Sequence, residues 1–534
     1  MYRGRALYIA QVVLVVLPSF FLFGYNQVNV GGLLSFASWT KAFPQIDTTN
    51  TTANTKSHNS VVQGVYVSSF TLGGLAGSLS CSFIGDVLGR RKTVLIGGIF
   101  TLIGEIVSCT AFQLPQLVVG RIITGIGIGI LFTMVPIWQA ECSKPTNRGK
   151  HVVIDGIFIS SGYAMSYWVN FGFSHMEQQS ASWRVPVAMP AVLSIVLISS
   201  IFLFPESPRW LVRIGERANA AKKLARIGDT GIDADEVQRE IASIEFSLEE
   251  TAQTASSVKD IFTMKDGKLF YRFMLCLGIQ FWIQMTGASV ISTYSTTIFR
   301  ENLGLSSPLS RILGASALTW KFLASFVSFF TIDRFGRRKL FLFCGVGVTL
   351  CMTCMAITSS FSSTNHGASV ADAFFLFLFN FFFPIGLLGP SFLYCTEVAP
   401  IRLRVAMTSI STANHWLWYA SPSSSSHLLE VLNFIRNFLV QMITPVALAN
   451  IGYQYYIVYA IIGLTFVGSV YFFYPETMGQ SLEQLDDLFQ NDISILETVK
   501  MAKRLSKMPP GTAMPEVELK GQVEQVEYSE HESV

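Results

Sequence analysis

The sequence predicts an all-α membrane protein of twelve transmembrane helices in two six-helix halves. Three observations carry that prediction. Runs of roughly 20 apolar residues, long enough to cross a bilayer as helices, recur along the chain. Only 14% of its 534 residues are Asp, Glu, Lys or Arg and 50% are hydrophobic, a balance far from that of soluble proteins. One charged phrase also occurs twice. Residues 85–92 read Gly-Asp-Val-Leu-Gly-Arg-Arg-Lys, and residues 333–339 read Asp-Arg-Phe-Gly-Arg-Arg-Lys. Each copy is a short polar break between apolar runs. The step from Asp86 to Asp333 is 247 residues, close to half the chain. That is the mark of an internal duplication, a common layout of secondary transporters.

The first half, 1–204, holds apolar runs near 8–28, 60–83, 93–112, 116–139, 151–173 and 184–204. Arg3 and Arg5 precede the first run, which reaches about Val28 without a small-residue cleavage pattern. It reads as a span rather than a signal peptide. A polar linker, 205–269, comes next, and its Glu-, Lys- and Ala-rich segments 216–226 and 233–249 read as short cytosolic helices. The second half, 270–474, has runs near 270–293, 308–332, 339–359, 371–394, 405–449 (interrupted) and 452–474. The tail, 475–534, is polar without an apolar period and reads as cytosolic and mostly disordered.

Lys and Arg fall in alternate loops: Arg90 to Lys92, Lys144, Arg148, Lys150, Arg334, Arg337 to Lys339, Arg402 and Arg404. The positive-inside rule then places both termini in the cytosol and the loop 29–59 outside. That loop carries Asn50-Thr51-Thr52, a glycosylation sequon. The net charge of +3 points to no nucleic-acid partner, and no Walker-type glycine loop appears. Neither a metal spacing nor a catalytic cluster stands out, so no cofactor and no enzyme activity are expected. The eight Cys residues lie in spans or at their ends. Even the Cys351-x-x-Cys354 pair reads as helix packing.

Residues 419–436, which begin Tyr-Ala-Ser-Pro-Ser-Ser-Ser-Ser-His, interrupt the eleventh span. The piece before them, 405–418, is about 21 Å long as helix, too short for a core of about 30 Å. Joining Trp418 to Asn437 restores one span. It also brings the step from Pro205 to Pro475 from 270 to 252, in line with the other repeat steps of 247 and 256 (Glu141 to Glu397). We read 419–436 as a retained intron. The flanking and internal dipeptides are encodable by plausible donor, branch and acceptor signals. The rival reading is a true insertion with a re-entrant bend.

More pieces repeat. Glu141 precedes Arg148 by seven residues, and Glu397 precedes Arg404 by seven. Residues 205–211 read Pro-Glu-Ser-Pro-Arg-Trp-Leu, and 475–479 read Pro-Glu-Thr-Met-Gly. In order and spacing, from about Gly24 to Glu483, these motifs closely resemble the sugar porter family of the major facilitator superfamily, most of all its filamentous-fungal members. The resemblance implies the major facilitator fold. It also implies transport of a monosaccharide (hexose or pentose) or related polyol by alternating access, as a uniporter or a proton symporter. A sugar-acid or quinate-type carrier and a non-transporting sugar sensor are the alternatives. The partners expected are the sugar, protons and the bilayer, with a monomer in the plasma membrane.

Charged residues at the ends of the helices can pair with each other and with helix ends. We read Asp86, Arg90, Arg91, Glu141, Arg148, Glu206, Arg209, Asp333, Arg337, Arg338, Glu397, Arg404 and Glu476 as a gating latch. The resemblance implies that it holds the outward-facing state. For substrate binding it implies Gln284, Ser289, His415, Trp416, Asn437 and Phe392, with Gln280 one turn from Gln284 and Asn26 and Gln27 in the first span. The chain departs from the family pattern at Ile283 and Ser289, where Gln and Asn are usual, at His415, where Asn is usual, and at Phe392, where many relatives place Trp. Trp416 is the aromatic expected to stack on a sugar ring. Proton-coupled relatives carry Asp where this chain has Asn26, which cannot titrate, so the position favours passive transport. Other ionisable residues lie inside the predicted spans, among them Glu105, Arg121, Asp155 and Lys321. Lys321 is read in three ways: paired with Asp155 or Glu105, bound to a substrate carboxylate, or part of an acid–base pair that carries a coupling proton.

Overall fold

Lipid offers no hydrogen-bond partner to a peptide group, so each apolar run closes its own backbone as a helix. In the computed structural model, residues 3–506 are described apart from 35, 48–52, 143–147, 177–178, 255–260, 262–267, 302–304, 362–364, 401–402, 418–451, 481 and 491–492. The first half comprises α1 (Gly4–Leu33), α2 (Ala53–Leu88), α3 (Arg90–Cys109), α4 (Leu114–Glu141), α5 (Arg148–Phe173) and α6 (Ala181–Leu203). The second half comprises α7 (Leu269–Arg300), α8 (Ser307–Phe335), α9 (Arg337–Phe361), α10 (His366–Val398), α11 (Arg404–Leu417, as far as it is described) and α12 (Gln454–Phe473). Ten of these helices meet both length and hydropathy criteria for a span. No strand occurs among the described residues. Three further helices, Pro208–Arg213, Arg217–Gly228 and Asp235–Thr254, occupy the polar linker.

Two glycines make the repeated charged turn possible. Gly89 (φ 83°) and Gly336 (φ 88°) sit between α2 and α3 and between α8 and α9, in a backbone region that side chains with a Cβ avoid. Glycine also sets how closely the helices approach within a half. A Cβ on Gly125 of α4 would lie 2.1 Å from the Phe70 carbonyl of α2. This is the small-residue packing expected where lipid gives no hydrophobic drive.

The halves meet mainly through α5 against α8 and α2 against α11. On one side of the membrane, Tyr167 of α5 donates to the carbonyls of Ser292 and Thr293 on α7, each at 2.9 Å. A Cβ on Gly31 of α1 would lie 2.1 Å from the same Thr293 carbonyl. On the other side Gly156 of α5 packs against Gly389 of α10, and Gly85 of α2 against Val405 of α11. The helices thus close over the centre from both sides.

Two sequence expectations change here. α2 begins at Ala53 rather than near 60, because its polar first turns continue the helix beyond the apolar run. The tail is not without period: it forms helices Leu482–Gln490 and Ile495–Leu505. Leu485, Leu488, Ala502 and Leu505 bury one another between them. Ser494 and Glu497 close a capping box at the second start. Asp486 forms a buried ion pair with Arg272 at the start of α7. Asn50, Asn437, the interruption 419–436 and the tail after 506 lie outside the described residues, as does the Arg148 side chain.

Candidate functional site

Two breaks in the helices shape the centre. α7 parts at Thr286-Gly287, where Gly287 has φ 78°. α10 loosens into a π-turn over Pro384–Leu388 before Pro390 restarts it. Discontinuous helices of this kind free polar groups at mid-depth. Between the halves lies a narrow cavity lined from the first half by Phe23, Gln27, Phe132 and Tyr163. The second half lines it with Ile283, Gln284, Ala288, Ser289, Ser292, Lys321, Phe383, Leu388, Phe392 and His415.

On the second-half wall the polar groups order one another. Ser289 donates to Oε1 of Gln284 at 2.7 Å. The Gln284 amide nitrogen lies 2.7 Å from Nε2 of His415. Nδ1 of His415 lies 3.0 Å from Oε1 of Gln280. A carboxamide oxygen only accepts, so Nδ1 of His415 carries the proton and Nε2 accepts from Gln284. Gln280 therefore stands behind the wall and orients the imidazole rather than facing the cavity. Trp416 departs from expectation. It is 1% exposed and packs edge-on to Phe23, Phe70 and Phe132, with its ring against Gly74. Neighbours on a helix point about 100° apart, so His415 takes the cavity and Trp416 takes the seam with α2.

Lys321 lines the cavity and is 1% exposed. Its Nζ donates to Ser292 at 2.7 Å and lies 4.9 Å and 4.7 Å from the ring centres of Tyr163 and Phe383. It pairs with neither Asp155 nor Glu105; a hydroxyl and two ring faces hold it instead. Sequence reasoning missed Ser292 and Tyr163. The signal for Ser292 was present: Ser289 and Ser292 fall three residues apart on one helical face.

In the first half Glu105 of α3 accepts from Asn26 of α1 at 3.1 Å and from Ser194 of α6 at 2.9 Å. Arg121 of α4 donates to the Asn26 carbonyl at 2.9 Å and lies over the Phe70 ring at 4.7 Å. Asn26, Glu105 and Arg121 line one small polar pocket, separate from the central cavity. Asp155 belongs to neither. It is fully buried near Gln139 and Tyr8, towards the charged end of α5.

The family model described as "Sugar (and other) transporter" matches residues 11–421 and 423–489. The chain belongs to that family. It is 32% identical to "Sugar transporter STL1" of Saccharomyces cerevisiae over 90% of this chain and 80% of that one. It is 33% identical to "Major facilitator superfamily transporter mfsA" of Aspergillus fumigatus over 91% and 86%. Its fold is that of the MFS proton:xylose symporter XylE bound to 6-bromo-6-deoxy-D-glucose, with a TM-score of 0.75 at 20% identity, over 90% of this chain and 99% of that one.

In this sugar-transporter-family chain the charged motifs form a clasp inside each half. Arg90 forks onto Glu141 at 2.9 and 3.1 Å and reaches Asp86 at 3.1 Å. Arg337 forks onto Glu397 at 3.2 and 2.9 Å and reaches Asp333 at 3.5 Å. Glu206 caps α3 by accepting from the amides of Arg90 and Arg91; Glu476 caps α9 through those of Arg337 and Arg338. Burial raises the carboxyl pKa of Glu206 and of Glu476, against the pull of those amides and of the neighbouring arginines. The second arginine of each pair bonds a terminal carbonyl, Arg91 to Phe202 of α6 and Arg338 to Tyr471 of α12. Of the residues read as a gating latch, these pairs close within a half rather than between the halves. Arg404 reaches across, close enough to Glu141 to act on its charge. Arg209 turns to Glu240 of the linker at 3.9 Å.

Proposed function

We propose that this protein carries a monosaccharide or related polyol across a membrane by alternating access. The observation that carries the reading is the central cavity with its ordered wall of Gln284, His415 and Ser289 facing Gln27. Sugar hydroxyls both donate and accept, and amides, imidazole and hydroxyls answer both needs without a fixed charge. The rings of Phe23, Phe132 and Phe392 offer the apolar faces that a sugar ring covers. The membrane is the plasma membrane, the charged edge and both termini face the cytosol, and the carrier acts as a monomer without covalent chemistry. The test is uptake of labelled hexose by cells lacking their own hexose carriers, in a chain without residues 419–436. Saturable uptake supports the reading; surface expression with no uptake of hexose, pentose or polyol overturns it.

Lys321 favours a second reading, an acidic sugar or quinate-like substrate whose carboxylate meets its ammonium. Competition by uronates or quinate, lost in Lys321→Gln, would support it. Absence of competition removes it.

A further inference from the structure

We propose that Glu105 is the proton-binding site of this carrier, the proton riding with the substrate. The inference rests on the transport reading and adds the driving ion. It stands on the position of one carboxylate in a connected set of polar groups. Glu105 is 1% exposed, four residues or about 6 Å from the Cys109 end of α3, opposite the charged edge. It joins α3 to α1 through Asn26 and to α6 through Ser194. The residue after Asn26 is Gln27, which lines the substrate cavity and accepts from the Tyr163 hydroxyl at 2.7 Å. The Tyr163 ring in turn faces Lys321. A change at Glu105 therefore reaches the substrate wall through two adjacent residues of α1, a contiguous packed route.

The groups around Glu105 suit a proton that comes and goes. Tyr25 and Asn26 face it from α1, Tyr66 from α2 across the same pocket, and Arg121 from α4. Cys109 lies on α3 itself. α6 brings the Ser194 hydroxyl, while its Arg184 is turned to the carbonyls of Cys109 and Ala111. No ion pair ties Glu105 down among the described residues. Its partners are an amide and a hydroxyl, which bond either form of the carboxyl. A carboxylate that is wetted in one state and enclosed in another takes up a proton on enclosure. The proton enters from the solution on the Cys109 side, resides on a Glu105 oxygen during the crossing, and leaves to the solution at the charged edge. Asn26 then bonds the carboxyl and need not titrate itself.

The full chain, in whichever form exchanges substrate (with or without residues 419–436), is reconstituted in liposomes. Counterflow of labelled D-glucose, D-xylose or sorbitol is measured first, then accumulation under an imposed pH gradient. At one proton per sugar, a gradient of one pH unit drives about tenfold accumulation in the wild type. Glu105→Gln is expected to run counterflow yet equilibrate only, a ratio near one. Asn26→Asp combined with Glu105→Gln moves the carboxylate across the same hydrogen bond and is expected to restore accumulation. Three results overturn the proposal: wild-type counterflow without accumulation, accumulation retained by Glu105→Gln, or accumulation abolished by Asp155→Asn alone. Absence of counterflow in every form removes the transport reading itself, and the proposal with it.

Discussion

The two halves share one charged edge and differ in what lies above it. In both, a glycine of positive φ starts a helix, a glutamate caps it, and its first arginine forks onto a second glutamate. Even the hydroxyl partner recurs, Ser207 on Glu141 and Thr477 on Glu397. The interiors diverge. The first half buries Glu105 and Arg121 beside Asn26, while the second lines the cavity with Gln284, His415 and Ser289. The charged edge recurs while the interiors differ, and the division of tasks we propose, ion binding in one half and hydroxyl recognition in the other, rests on that difference.

The largest effect expected would break the equivalence of the edges. Arg90→Ala or Arg337→Ala strands a buried glutamate and should cost about 3–5 kcal/mol. Thermal unfolding in detergent reads the loss, and a much smaller drop for one of the two would show that the clasps are not alike. Next, Gly31→Val forces a side chain onto the Thr293 carbonyl between the halves. Overpacking of about 1–3 kcal/mol should oppose closure on that side and cut transport roughly fivefold or more. Initial-rate uptake measures it, and a wild-type rate would mean that this contact does not form in the cycle.

Gln284→Ala tests the division of tasks. It leaves His415 without its donor, about 1–3 kcal/mol, so half-saturation for the sugar should rise roughly 5- to 150-fold. A normal half-saturation would remove Gln284 from the site. The smallest effect belongs to Arg213, whose 2.7 Å pair with Asp86 is found in the first half. The guanidinium is 36% exposed. Arg213→Ala should therefore cost no more than about 1 kcal/mol, less at high salt. A larger shift in melting temperature would mean that the linker helices stiffen this clasp beyond its twin.

Much of this was readable in advance wherever chemistry is local. Apolar length announces a span, and a repeated Gly-Arg-Arg-Lys announces a repeated turn. Gln284, Ser289 and His415 could be named as candidates because the resemblance to the sugar porter pattern singles out their positions. Gln280 could be named too, but not its place behind the wall. The amphipathic tail helices were missed because Leu482, Leu485 and Leu488 recur among acidic residues in a stretch too polar to suggest a packed helix.

The chain by itself determined that it is helical, that it crosses a membrane many times, and that its halves are copies. Those properties come from hydropathy and spacing along one dimension. Tertiary structure decided what each polar group touches. Arg90 meets Glu141 across 51 positions of sequence, and Lys321 meets Ser292 rather than an acid. Glu105 meets Asn26 across 79 positions. Such contacts depend on how helices rotate and approach, which the glycine seams and the breaks in α7 and α10 set in three dimensions.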